Sequence, residues 1–209
     1  MIRCIADFVP DDAESGVGLV LQNENGHYLF FMAGTRDSHR CSPGELFYGG
    51  IGGHREEGED WLTCAHREAR EETGMDIDII PAPVTWYVPH QGPVQPIEVI
   101  DEPRPFAFYE LVFPPNIRVE GGIYYIVIYQ ARLHTRPREM PPDELRGIIA
   151  LSAEQVVRGL EYRPTLTELL DDGAVLVTGE KYLDPQVRLF PVGTAAALAQ
   201  ILPHINKTQ

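Results

Sequence analysis

From residue 53 to residue 75 the chain reads GHREEGEDWLTCAHREAREETGM, and its carboxylates recur at helical spacing. At about 100° per residue, Glu68, Glu71 and Glu72 fall within an arc of about 100° on one side of a helix, beside Leu62, Ala65 and Ala69. The carboxylate face therefore borders the packing face. Two small alanines on that packing face predict close approach to a sheet, so the three carboxylates should stand at the wall of a cleft. This crowding costs a purely structural helix stability, because Glu68 and Glu72 repel at i, i+4 and Glu71 adds to the repulsion. A bound cation reverses the sign. Two or three carboxylates, with water and a substrate phosphate, are the hard oxygen ligands that Mg²⁺ or Mn²⁺ takes.

The ends of the segment fit a single loop-helix unit. Asp60 is the expected N-cap before Trp61, and Gly74 closes the helix after Thr73. Gly52 and Gly53 let backbone approach a ligand closely, and Gly58 helps the loop turn into the helix. Arg67, four residues before Glu71, is placed to neutralise part of the cluster or to orient Glu68, a role in which Lys is a poor substitute.

The segment resembles the Nudix box. Gly53, Glu59, Arg67, Glu68, Glu71, Glu72 and Gly74 fill its fixed positions and Met75 its closing aliphatic one; Ala69 is smaller than the usual aliphatic. The resemblance implies an α/β fold, a Nudix-type α/β/α sandwich with a mixed β-sheet. It also implies a hydrolase that cleaves the pyrophosphate link of a nucleoside diphosphate joined to another group, by metal-assisted attack of water at phosphorus. Glu68 and Glu72 are then the main ligands of Mg²⁺, or of Mn²⁺ in its place, with Glu71 as a further or shared ligand and Gly53 contributing its carbonyl. Glu59 and Arg67 hold the loop-helix geometry. The catalytic set expected on this basis is Glu68, Glu71 and Arg67, with Glu68 the general base by default and Asp143, Glu144 and Glu102 as downstream candidates. A homodimer is expected by analogy with the family.

Three other readings compete. An isopentenyl-diphosphate isomerase shares the fold but needs a catalytic Cys before the box, where only Cys41 is near. A non-catalytic ligand-binding regulator with a DNA-contacting C-terminal module fits poorly with five Lys or Arg against seven Asp or Glu from Leu151 onward. A purely structural protein has no use for repelling carboxylates.

Charge narrows the partners. With 31 acidic and 17 basic residues and a net charge of −14, the chain is not expected to grip duplex nucleic acid or an anionic membrane. Arg36, His39, Arg40, His54 and Arg55 concentrate positive charge before and within the loop, and Arg36, Arg40 and Arg55 are the candidate phosphate contacts of a small nucleotide or other diphosphate substrate. Cys4, Cys41 and Cys64 are odd in number and lack a CxxC pair, so no disulfide framework or zinc site is expected and a reducing cytoplasm fits. Neither a leader pattern nor a stretch of about 18 apolar residues is present.

Along the chain, Gly16 to Gln22 and His27 to Ala33 are apolar runs joined by Asn23-Glu24-Asn25-Gly26, a hairpin signal. Strands are expected at Ile77 to Ile80, Val84 to Val88, Phe106 to Phe113, Ile123 to Leu133 and Ala174 to Thr178, with turns at residues 114–116 and 120–122. Helices are expected at Ser152 to Gly159, Leu166 to Asp171 and Thr194 to Leu202. Nine of the 18 prolines lie between Pro81 and Pro115, so residues 81–115 read as an ordered insertion in a core of residues 1–160. This insertion carries Trp86, Tyr87, His90, Phe106, Phe108 and Tyr109, and substrate choice is expected to reside there. Residues 161–209 read as an extension packed on the core, which covers Leu183, Val187, Leu189 and Phe190.

Overall fold

The computed structural model describes residues 3–74, 76–112, 122–134 and 143–205. Met75, Phe113, residues 114–116 and 120–121, and the side chains of Arg36 and His39 lie outside the described set. The chain folds as an α/β/α sandwich around a mixed sheet that has eleven strands among the described residues.

The first hairpin forms where the Asn-Gly signal places it, between β1 (Ser15–Gln22) and β2 (Tyr28–Ala33). The Asn23 side chain accepts from the N–H groups of Asn25 and His27 at 3.0 and 2.9 Å, and Gly26 takes φ 77°, so a short polar side chain and a glycine close the turn. After β3 (Glu45–Gly49) come α1 (Trp61–Thr73), β4 (Ile77–Ile80), β5 (Thr85–Val88), β6 (Gln95–Ile97), β7 (Ala107–Val112) and β8 (Ile123–Leu133). The remaining elements are β9 (Leu145–Leu151), α2 (Ala153–Arg158), α3 (Leu166–Asp171), β10 (Val175–Thr178), β11 (Arg188–Pro191) and α4 (Thr194–Ile205).

The strand order is β10-β9-β2-β1-β8-β7-β5-β6, with β3 joining β2 to β11 and β4 pairing with the far end of β8. The pairing of β1 with β8 is parallel, from Ser15↔Tyr125 to Leu21↔Ala131. On its other edge β1 is paired twice. Its C-terminal end meets β2, while its N-terminal end takes the loop after β3, where Leu19 N–H donates to Ile51 O (2.8 Å) and Val17 N–H to Gly53 O (3.0 Å). The acidic helix is thus delivered to the sheet centre by a loop that is itself hydrogen-bonded like a strand.

Side-chain alternation along the central strands builds a core on each face. Val17, Leu19 and Leu21 of β1 and Tyr125, Val127 and Tyr129 of β8 pack with Cys64, Ala65 and Ala69 of α1. Val20, Ile126 and Ile128 point the other way and pack with Leu198, Ile201 and Leu202 of α4, joined by Val156 of α2 and Leu166 of α3. The segment beyond residue 160 is covalently remote from the first hairpin yet covers its second face. Ile201 is fully buried there, so Ile201→Ala is expected to cost about 3 kcal/mol in urea unfolding.

Four strands arise where the sequence shows no strand signal: β3, β6, β9 and β11. The run LRGIIAL of β9 carries a glycine and good helix formers. It becomes a strand because it is sandwiched between β2 and β10, a long-range pairing that overrides local propensity.

Candidate active site

The acidic helix is held at both ends as its sequence predicts. Asp60 Oδ1 accepts from Thr63 N–H at 2.7 Å, and Gly74 takes the left-handed conformation (φ 69°) with its N–H on Arg70 O at 2.8 Å. Ala65 and Ala69 are fully buried, which brings the helix axis close to the sheet and places Glu68, only 8% exposed, against the loop. The loop needs glycine to receive it. A Cβ on Gly53 would stand 2.3 Å from Glu68 Oε1, and one on Gly52, at φ 150°, would stand 2.0 Å from Val17 O. The second clash is with backbone that is already hydrogen-bonded into the sheet. Gly52→Ala is therefore expected to cost about 3 kcal/mol, seen as a fall of roughly 10 °C in melting temperature.

Arg67 organises the charge. Its Nε and Nη2 bind Glu59 Oε1 and Oε2, each at 2.9 Å, in a fork that matches the carboxylate plane. Nη1 donates to Glu68 Oε1 at 2.6 Å and to Glu71 Oε2 at 3.1 Å, and Nη2 also reaches His54 O at 2.8 Å. The guanidinium consequently ties helix to loop. The hydrogen bonds from Arg67 hold the Glu59 carboxyl down at about 2, and Glu59 in turn raises Arg67 above its ordinary range. Burial pushes Glu68 up despite its bond to Arg67. Cys64 lies beneath the fork, and burial with the Glu59 charge pushes its thiol up to about 12, which makes it packing and not a nucleophile.

Glu72 is different. Its Oε2 accepts one backbone N–H, from Gly52 at 3.1 Å. Part of the side chain remains open to the cleft, yet its carboxyl group is packed deeply enough that burial, with Glu68, Glu71 and Asp37 adding like charge, pushes it up to about 8. A carboxylate kept from ionising by its neighbours is one that a cation would ionise.

These groups open on a cleft of about 1010 Å³. Glu68, Glu71 and Glu72 line it with Gly52 and Gly53, and Asp37, Arg40, Asp143 and Glu144 complete its charged residues among those described. Glu102 lies elsewhere. Arg40 pairs with Asp37 at 3.3 Å, whereas the Arg55 guanidinium stacks over Trp61 at 4.3 Å and is not among the lining residues. His54 stacks on Tyr124, with 3.1 Å between Nδ1 and the hydroxyl. Of the aromatic residues in 81–115, Tyr109 lines the cleft. Phe106 and Phe108 are core, Tyr87 stacks on Phe108, and Trp86 lies against His204. Phe47, Tyr124 and Phe190 line the cleft without any local sequence signal. A second cleft, of about 1160 Å³, lies between the first hairpin, the end of β8 and β10; among the described residues Glu24 is the one carboxylate that lines it.

Among the described residues, no three His, Cys, Asp or Glu side chains are gathered closely enough to hold a metal ion as they stand. Arg67 accounts for this, since Glu68 and Glu71 both turn onto its Nη1. The donor chemistry fits a hard divalent cation nonetheless. Three carboxylates share one cleft wall, Glu68 sits where residue 53 can have no side chain, and Glu71, with a side chain 60% exposed, is free of packing that would stop it turning.

A loop-helix of this kind, set on an α/β/α sandwich with its carboxylates facing a cleft, defines a class of hydrolases. The chain belongs to the NUDIX family, whose domain model matches residues 13–171, and it is a Nudix-type hydrolase. No curated protein sequence matches it. Among solved structures it is similar to the ORF135 protein of E. coli, at 12% identity over 94% of this chain and 93% of that one, with a TM-score of 0.48. It is also similar to an Ap4A hydrolase of C. elegans (13% identity, 94% and 100% covered, TM-score 0.47) and to a NUDIX hydrolase from Nitrosomonas europaea (17%, 69% and 76%, 0.44). No helix among the described residues is long and apolar enough to cross a membrane.

Proposed function

We propose that the chain is a metal-dependent hydrolase that cleaves the pyrophosphate bond of a nucleoside diphosphate joined to another group, by attack of water at phosphorus. The observation that supports this reading is that Glu68, Glu71 and Glu72 line one cleft beside Gly53, on a helix that the Arg67 fork to Glu59 ties to the loop. Glu68, Glu71 and Glu72, with the Gly53 carbonyl, are the groups that would hold Mg²⁺, or Mn²⁺ in its place. Such an ion, when bound, neutralises the diphosphate and lowers the pKa of the attacking water.

The remaining roles belong to the chain. Glu59 and Arg67 fix the orientation of Glu68, and Arg40 is assigned to a substrate phosphate at the rim. Arg36 and Arg55 share that assignment, which requires the Arg55 guanidinium to leave Trp61. Glu68 is the general base by default, and Asp143 and Glu144, which line the same cleft, are the further candidates for taking the proton of the attacking water. Replacing the true base with its amide should lower kcat by roughly 10²- to 10⁴-fold with KM kept, and Asp143→Asn, Glu144→Gln and Glu68→Gln measured side by side identify it.

The reading includes a cytoplasmic setting, in keeping with three free cysteines, and a homodimer, for which light scattering is the check. Residues 161–209 are taken as an extension of a core of residues 1–160; the pairing of β11 with β3 supports its docking. The decisive assay is mononucleotide release from a panel of diphosphate compounds, with Mg²⁺ and Mn²⁺ compared and a chelator as control. If no panel member is turned over with either ion, the hydrolase reading is lost.

A further inference from the structure

Residues 53–55 hold the sheet and the acidic helix at once. Gly53 O accepts from Val17 N–H at 3.0 Å and Arg55 N–H donates to Ser15 O at 2.9 Å, so the chain is pinned to β1 on either side of His54. The His54 carbonyl instead accepts from Arg67 Nη2 at 2.8 Å, with the Cys64 thiol 3.7 Å away. Residue 54 is therefore where the loop passes from sheet to helix. Its side chain has a partner on a third element: the imidazole lies nearly parallel to the Tyr124 ring, at 18° and 5.5 Å between centroids, with 3.1 Å from Nδ1 to the phenol oxygen. Tyr124 is contributed from beyond β1, since β8 pairs with the edge of β1 opposite to the one that takes the loop. It crosses β1 at Gly16, the residue that bridges to His54. A Cβ on Gly16 would stand 2.1 Å from the Tyr124 hydroxyl and 2.2 Å from Gly53 O, so the contact requires glycine there. Three segments far apart in sequence thus agree on one contact.

We propose that Tyr124 and His54 are positioning residues for the metal-binding loop, the phenol holding the imidazole so that the Gly53 backbone and the His54 carbonyl keep their places against Glu68 and Arg67. Burial favours a role in the site over one in the core. His54 is exposed and Tyr124 is half-buried at the cleft, so their contact withdraws little apolar area from water. What it fixes is larger. A Cβ on Gly53 would stand 2.3 Å from Glu68 Oε1, and the guanidinium bound to the His54 carbonyl also binds Glu68 at 2.6 Å. A small shift of residue 54 therefore reaches Glu68 by two routes, through the backbone beside it and through Arg67. This deepens the hydrolase reading and rests on it for the metal alone; the hydrogen bonds of the loop stand without it.

The test titrates the full chain with Mn²⁺ alone by calorimetry and, in the metal-free protein, follows alkylation of Cys64 by peptide mass spectrometry. Cys64 is fully buried, so its alkylation reports opening of the loop above it. Tyr124→Phe and His54→Phe each keep a ring and lose the hydrogen bond. Each is expected to weaken Mn²⁺ binding about tenfold, the low end for groups that support ligands, and to speed Cys64 alkylation, with the melting temperature near native. His54→Asn returns a polar atom toward the phenol and should recover most of the affinity. The double Phe variant should bind Mn²⁺ no more weakly than either single one, because the two residues act through one contact. Native Mn²⁺ affinity and native Cys64 protection in both single variants overturn the proposal. So do losses that add in the double variant, or a melting temperature lowered by several degrees in both, which makes the pair part of the core. Turnover is read separately: a panel left unhydrolysed while Mn²⁺ affinity depends on the pair sinks the hydrolase reading alone, and hydrolysis with Mn²⁺ affinity indifferent to both variants sinks the positioning pair alone. If the native protein binds no Mn²⁺, the metal reading is lost and Cys64 protection decides the role of the pair.

Discussion

Glu72→Gln is expected to lower metal-dependent hydrolysis by more than about 100-fold while making the metal-free protein more stable near pH 8.5. The activity loss follows from removing the charge of a proposed metal ligand, which should exceed the 10- to 100-fold typical of groups that merely support ligands. The stability gain follows from the environment of Glu72. Its folded-state pKa is raised from the ordinary 4.5 to about 8 by burial and by the nearby carboxylates. Between those two values the unfolded chain releases a proton that the folded protein retains. Stability of the metal-free protein therefore falls as pH rises from about 4.5 to about 8, and the full penalty stands above that range. Gln keeps the acceptor for Gly52 N–H at 3.1 Å and removes the charge, so the penalty disappears. The measurement is thermal unfolding near pH 5.5 and pH 8.5, with and without Mg²⁺. In the native protein the Mg²⁺-induced rise in melting temperature should be larger at the higher pH; in Glu72→Gln the apo protein should lose the part of its pH dependence that Glu72 supplies, and the Mg²⁺ effect should shrink at both. A variant less stable than native near pH 8.5, or one that still hydrolyses at full rate with Mg²⁺, would contradict the assignment.

The second large effect is expected at Arg67. One guanidinium serves Glu59, Glu68, Glu71 and the His54 carbonyl, and no other side chain can present donors in that fork. Arg67→Lys retains the charge and loses the geometry. Rate should fall about 100-fold through misplacement of Glu68, with much of the stability kept. Arg67→Gln leaves the Glu59 side chain, 7% exposed, without its counter-charge. The expected cost is about 3 kcal/mol, at the low end for a broken buried pair because Arg67 itself is 22% exposed. Glu59 supplies a pH signature. Its folded pKa is depressed to about 2, so the pair contributes stability that is present above 4.5 and is lost as pH falls toward about 2. Acid unfolding of the native protein should be steeper in that window than that of Arg67→Gln. Equal rates for the Lys variant and the native protein would remove Arg67 from its positioning role.

The loop-helix was legible because each of its signals is local. Cap residues at Asp60 and Gly74, the two buried alanines and the arc holding Glu68, Glu71 and Glu72 all follow from a single helical repeat. The first hairpin and the long strand β8 were legible for the same reason, since apolar runs bounded by turn residues need no distant partner to be recognised. By contrast, β9 and β11 have no periodicity of their own, and their strand character comes from the partners they find in β2, β10 and β3. The aromatic residues of 81–115 show the limit most clearly. Composition marks five of them as equal candidates, but alternation on β7 sends Phe108 into the α1-side core and leaves the next residue, Tyr109, at the cleft.

The family, the reaction class that goes with it and the residues that gather negative charge are written in the spacing of one 23-residue segment. That Arg67 is shared among three carboxylates, that Glu72 lies deep enough to resist ionisation, and that Phe47 and Phe190 stand in the same cleft as the acidic helix emerge with the folded chain. Helical phase is set by neighbours a few residues away, whereas the walls of this cleft are set by strand pairings and burial between segments more than a hundred residues apart.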